Sequence, residues 1–182
     1  MVLSATLFES SNFFELFSLP SGWQIDRGLL DARYRKLQQE FHPDRFASKG
    51  DVDKRLALQT TSLINQAYDT LKSPLKRSQY LLQLEDLDAA QETHITSDVQ
   101  FLMQQIEFRE ALGDLNESAD PMTAVDGMRT DVQNQYLQLQ NDFEAQYIAA
   151  NYNDALDTVA RMQFFSKLLV EIDQREEELE DF

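Results

Sequence analysis

The stretch that decides the fold is Glu40-Phe41-His42-Pro43-Asp44-Arg45-Phe46, a polar tripeptide set where a strongly patterned helix must stop. Upstream, Leu30, Tyr34, Leu37 and Phe41 recur at helical spacing and share one apolar stripe, while Arg33, Arg35, Lys36 and Glu40 point elsewhere. Pro43 has no amide hydrogen and drives the residue before it out of helical dihedrals, so the helix is predicted to end at His42. The imidazole of His42 and the carboxylate of Asp44 are then presented at an exposed bend.

On either side of this bend the chain reads as helical almost throughout, because glycine and proline are scarce and apolar residues recur every three or four positions. No strand alternation stands out, and the fold class is all-α. A first helix is predicted near 12–17, ended by Leu19-Pro20-Ser21-Gly22, and a second from the N-cap Asp26 to Phe41. A third, near 51–71, is expected to bury Leu56, Leu63, Ile64, Ala67 and Leu71. A fourth opens at Ser73-Pro74 and carries Tyr80, Leu81 and Leu84 to a connector, within which His94 is expected to face solvent. Three longer segments follow. One ends at Gly113; one opens at Asp120-Pro121 and runs on Val125, Met128, Val132, Tyr136, Leu139, Phe143 and Tyr147; the last, after Asn151 to Asn153, runs on Leu156, Val159, Met162, Phe165, Leu169 and Ile172. Short connections imply antiparallel neighbours and hence a three-helix bundle.

Charge locates the domain boundary. Residues 1–80 carry 11 Lys and Arg against 9 Asp and Glu, a net of +2, whereas 81–182 carry 5 against 23, a net of −18, matching the overall −16. The expected organisation is an N-terminal domain over 1–84, a connector over 85–95 and the bundle over 96–182. Such an acidic bundle repels nucleic-acid phosphates and anionic membranes, which argues against both as partners. No Cys is present, so disulfides and thiolate metal sites are excluded and a reducing, cytoplasmic setting fits. The first residues lack a basic start and a long apolar core, so neither export nor a transit peptide is suggested. The run Glu176-Glu177-Glu178-Leu179-Glu180-Asp181 opposes the dipole of a helix C-terminus and is expected to fray.

The helix from Val99 to Asp114 has two apolar faces. Phe101, Phe108 and Leu112 fall together; on the opposite side lie Leu102, Met103 and Ile106, continued by Glu107, Glu110 and Asp114. A bundle helix needs one apolar stripe, so the second, bordered by carboxylates, is a candidate docking surface, although it could instead pack against another helix. Phe164 lies far around its own helix from Val159, Met162 and Leu169 and is expected to be exposed as well.

Helix, His-Pro-Asp turn and second helix together resemble the J-domain of DnaJ-type co-chaperones. Asn12-Phe13-Phe14-Glu15-Leu16-Phe17 is similar to that family's short first helix, Tyr34-Arg35-Lys36-Leu37 to its basic docking face, and Ile64-Asn65-Gln66-Ala67-Tyr68-Asp69-Thr70-Leu71 to the end of its third helix. Glu40 departs from the pattern, an acid where many relatives are basic. Further on, Phe101-Leu102-Met103-Gln104-Gln105-Ile106-Glu107-Phe108-Arg109-Glu110, with Pro74-Leu75-Lys76-Arg77-Ser78-Gln79-Tyr80-Leu81-Leu82 and Phe164-Phe165-Ser166-Lys167-Leu168, resembles the HscB family of J-type co-chaperones in iron-sulfur cluster biogenesis. With the J-domain included, the resemblance covers essentially the whole chain. It implies a J-domain helical hairpin with short flanking helices, then a C-terminal three-helix bundle. It also implies two partners: a DnaK-like chaperone ATPase of HscA type, met by His42, Pro43, Asp44, Tyr34, Arg35, Lys36 and Arg45, and an iron-sulfur scaffold protein of IscU type. The scaffold would be met by Leu102, Met103, Ile106, Glu107, Glu110, Asp114 and Phe164, with Asp114 a short acid where a longer one would reach further. A monomer is expected, and no metal or cofactor is implied.

Other readings compete. An isolated His-Pro-Asp is by itself only a helix stop, and Arg33, Arg35 and Lys36 are by default a solvated face. His42 and Asp44 as a catalytic base and its orienting acid would need a nucleophile or bound water beside them, and the sequence suggests neither, so an enzyme is not expected. The rival function is a general J-domain adaptor that delivers a different client.

Overall fold

The computed structural model describes residues 12–46, 49–89 and 98–180, among which the regular secondary structure is helical. Two compact units are present, residues 1–81 and 82–182. In the first, Asn12 accepts the Glu15 N–H at 3.0 Å and starts α1 (Phe13–Leu16), and Asp26 accepts the Leu29 N–H at 2.9 Å and starts α2 (Arg27–Phe41). After a 3₁₀ turn (Pro43–Phe46) come α3 (Asp51–Lys72) and α4 (Pro74–Leu84), the latter running through the division between the units. α2 and α3 form an antiparallel hairpin, fixed at one end by Arg27 on the Lys72 carbonyl (2.9 Å). Tyr34 stacked on Tyr68 (3.9 Å between centroids) holds the middle, and Thr61 on the Phe41 carbonyl (2.9 Å) the far end. Phe14, Phe17, Leu30, Ile64, Ala67 and Leu71 are buried in this unit. Phe13 stacks on Tyr80 at 4.4 Å and gives it a backbone hydrogen bond at 2.8 Å; burial pushes the Tyr80 hydroxyl pKa up.

The buried stripe of α3 is Ala57, Thr60, Ile64, Ala67 and Leu71, whereas Leu56 and Leu63, expected in the core, are only half-buried. The buried stripe is rotated from the expected one toward Ala57 and Thr60. Thr60 is no obstacle, since its hydroxyl donates to its own helix at Leu56 O, 2.8 Å away. On α4, Leu81 and Leu82 are buried, Tyr80 is half-buried and Leu84 is exposed.

In the second unit, α5 (Val99–Gly113) and a 3₁₀ turn (Asp114–Glu117) lead to α6 (Pro121–Ile148) and α7 (Tyr152–Glu180). Asp98 caps α5 through the Gln100 and Phe101 N–H groups. Asp120 caps α6, and the Thr123 hydroxyl and N–H hold its carboxyl below the usual range. α6 and α7 are antiparallel, as Thr158 to Gln146 (2.8 Å) near their junction and Arg129 to Glu176 at the other end require. α5 runs alongside, joined to α6 by Gln104 and Gln135 (2.8 Å) and to α7 through its aromatic rings. Phe101, Val132, Phe165, Leu168 and Ile172 form a buried cluster that Phe108, Leu112, Met128, Tyr136 and Leu139 surround.

The start of the expected connector is ordered against the bundle: Tyr147 donates to Glu85 at 3.2 Å and Gln163 to the Ala89 carbonyl at 3.1 Å. His94 lies outside the described residues. α7 continues to Glu180, with Glu177, Glu178 and Glu180 exposed. Arg129 meets both Asp173 (3.2 Å) and Glu176, and Arg175 meets Glu178 at 2.7 Å, so local cations offset the unfavourable dipole. Arg129→Ala is therefore expected to speed amide exchange over residues 173–180 while leaving exchange in α2 and α3 unchanged.

Burial, reinforced by Glu85, pushes the Tyr147 hydroxyl pKa to about 12. Between pH 10 and 12 the unfolded chain then loses this proton and the folded chain keeps it, so the contribution is whole below pH 10 and lost as pH rises through 12. Melting curves recorded over this range should fall less steeply for Tyr147→Phe than for the wild type.

Candidate functional site

The last helical residue of α2, Phe41, is buried and anchors the bend. His42 follows with extended dihedrals (φ −56°, ψ 129°), as its position before proline requires. The turn closes through the Arg45 N–H on the His42 carbonyl at 3.0 Å. Within it the Asp44 N–H lies 3.3 Å from His42 Nδ1, and the Asp44 carboxylate 3.6 Å from the same nitrogen. The Asp44 side chain is 90% exposed. The tripeptide thus combines a fixed backbone with exposed side chains, an arrangement suited to contact with another protein.

Of the residues expected around it, Pro43 and Arg45 share the turn, and Arg35 and Lys36 are exposed on α2, about 10 Å back along the helix. Among the described residues Arg35 and Lys36 make no ion pair. Tyr34 and Arg45 are engaged within the unit. Tyr34 stacks on Tyr68 and donates to Asn65 at 3.1 Å, and the Arg45 guanidinium donates to the Gln39 carbonyl at 2.9 Å. Arg33 differs from its neighbours, because it donates to the carbonyls of Phe17 and Ser18 and binds the end of α1 to α2.

On α5, Leu102, Met103 and Ile106 are 43%, 60% and 57% exposed. Val99, 66% exposed, extends the strip by one turn. Its spacing to Met103 and Ile106 was visible in the sequence, but as the first helical residue it lay at the edge of the pattern. Glu107, Glu110 and Asp114 are exposed and border the strip. Phe164 corrects the expectation of an exposed ring: it is half-buried, edge-on to Phe101 (5.6 Å) and Phe165 (5.2 Å). Beside the strip, Met103 and Glu107 line an open cleft of about 420 Å³ together with Phe101 and Arg161. There Arg161 lies over the Phe101 ring at 5.3 Å and pairs with Asp98 at 2.7 Å.

Among the described residues no group of three or more His, Cys, Asp and Glu is placed to hold a metal ion. No described helix is long and apolar enough to cross a membrane. A helical hairpin that offers an exposed His-Pro-Asp turn, carried in one chain with a three-helix bundle bearing an open apolar strip, defines a J-domain co-chaperone. The chain belongs to the HscB co-chaperone family, being 40% identical over 168 residues to the HscB homologue of Aeromonas salmonicida, with 92% of this chain and 98% of that protein covered. The Shewanella loihica homologue is 38% identical over 175 residues, covering 92% and 99%. A family model described as the HSCB C-terminal oligomerisation domain matches residues 97–173. Among solved structures, HscB from Vibrio cholerae superposes with a TM-score of 0.85 at 36% identity, covering 92% of this chain and 99% of that one. Human HscB gives 0.84 at 25% identity, covering 92% and 83%.

The contrast on α2 has a measurable consequence. Arg35→Ala with Lys36→Ala should leave the melting temperature of the first unit unchanged, whereas Arg33→Ala should destabilise it by about 1–2 kcal/mol in chemical denaturation, because two carbonyls lose a charged donor.

Proposed function

We propose that this chain links the ATPase of a DnaK-like chaperone of HscA type to an iron-sulfur scaffold protein of IscU type, as a cytoplasmic monomer, and so assists cluster transfer. The J-domain spans 1–84 and the scaffold-binding bundle 96–182, with 85–95 between them. The observation that carries this reading is that the two exposed surfaces reside in different units, so one chain can engage two proteins at once. His42, Pro43 and Asp44, with Arg35 and Lys36 on the supporting helix, favour the chaperone conformation competent for hydrolysis; the chemistry takes place in the partner. The strip of Leu102, Met103 and Ile106, with Glu107, Glu110 and Asp114 along its border and the partly covered Phe164 beside it, holds the scaffold. Val99 belongs to the same surface. Tethering then keeps the scaffold at high effective concentration beside the chaperone's peptide site.

The test is steady-state ATP hydrolysis by an HscA-type chaperone, with the chain and the scaffold added separately and together. Synergy beyond the sum of the separate effects supports both surfaces; stimulation indifferent to the scaffold leaves a general J-domain adaptor serving another client. His42→Gln should abolish stimulation and leave scaffold binding intact. Leu102→Ala with Phe164→Ala should do the reverse, and loss of the exposed Leu102 side chain alone should weaken scaffold binding roughly tenfold, equivalent to about 1–2 kcal/mol.

A further inference from the structure

A helix that stops before proline leaves its last carbonyl groups without intrahelical donors. At the end of α2 two of these carbonyls are met by side chains from beyond the bend. Arg45 donates to Gln39 O at 2.9 Å, and Thr61, twenty residues past Phe41 and on the opposite helix, donates to Phe41 O at 2.9 Å. A threonine inside a helix can turn its hydroxyl back to the carbonyl four residues earlier. The adjacent Thr60 does so, donating to Leu56 O at 2.8 Å. Thr61 reaches across the hairpin instead, to the carbonyl that immediately precedes His42. The bond is half-buried, where an unmet carbonyl is costly and the donor correspondingly effective. Beyond it, the turn's contacts are local: Asp44 meets His42 Nδ1, and the Arg45 N–H closes on the His42 carbonyl.

We infer that Thr61 is a positioning residue for the His42-Pro43-Asp44 turn: its hydroxyl fixes the peptide from which the turn departs and so sets the direction in which the two side chains project. The inference rests on the ATPase-stimulating role proposed for that turn. If the direction is lost, the turn samples several orientations and only a fraction engages the chaperone. The concentration needed for half-maximal stimulation then rises, while the plateau at saturation is kept.

The decisive comparison is Thr61→Val, nearly isosteric but without the hydroxyl, against Thr61→Ser, which retains it. Full-length chains are titrated into an HscA-type DnaK-like ATPase, and hydrogen exchange at the Arg45 amide is measured on each chain alone. Thr61→Val should raise the half-saturating concentration about fivefold with an unchanged plateau and speed Arg45 exchange by a similar factor, and Thr61→Ser should behave as the wild type. Should Thr61→Val not fold, Thr61→Ala carries the same expectation. Equal half-saturation for wild type and Thr61→Val overturns the inference, even if exchange is faster, because the hydroxyl would then be only structural. Equal weakening in the valine and serine variants also overturns it. No stimulation by the wild-type chain overturns the ATPase reading itself, an outcome distinct from a stimulated ATPase indifferent to Thr61.

Discussion

Unpaired carbonyls at the end of α2 are the constraint on which the first unit depends. Pro43 halts the helix while its neighbours still need hydrogen-bond donors, and the chain answers with Arg45 from the turn and Thr61 from α3. The second of these bonds requires α3 to lie at one register along α2. That register is held independently by the Tyr34–Tyr68 stack and by Arg27, which reaches the Lys72 carbonyl and pairs with Asp31. Packing in the hairpin and presentation of the turn are therefore one problem with one solution, and Tyr34 serves it as much as any residue of the core.

The second unit faces a different difficulty, an excess of carboxylates on three helices. Its answer is to place cations where acids converge. Arg129 stands between Asp173 and Glu176, Arg161 between Asp98 and the Phe101 ring, and Arg175 beside Glu178. These contacts are half-buried or exposed and each contributes little, but together they keep α5 and the end of α7 in place. Neutral amide contacts, such as Gln104 with Gln135 and Gln146 with Thr158, carry the remaining crossings without adding charge. Glu107, Glu110 and Asp114 lie outside these pairings and give the exposed strip its negative border.

Much of this was legible in the sequence because it is local. Asp26 and Asp120 cap the helices they were expected to start, α2 stops where Pro43 dictates, and Leu102, Met103 and Ile106 emerge exposed on α5. What could not be read depends on the distance between helices. Ala57 and Thr60 replace Leu56 and Leu63 in the core, and an apolar pattern passes over such small or polar residues. Phe164 is drawn half under by Phe101, a ring on another helix, and the acidic tail is held by an arginine nearly fifty residues away. Arg33 stands outside the contacts expected of Arg35 and Lys36, but only the position of α1 makes it a brace.

The reach of Thr61 across the hairpin also limits how small the J-domain surface can be made. A peptide covering α2 and the turn would contain every residue of the tripeptide, yet it would lack the hydroxyl that holds Phe41 and the aromatic partner of Tyr34. Such a fragment carries the letters of the site without its shape. A mimic of this turn has to bring the second helix with it, or replace that helix by a covalent cross-link of the same span.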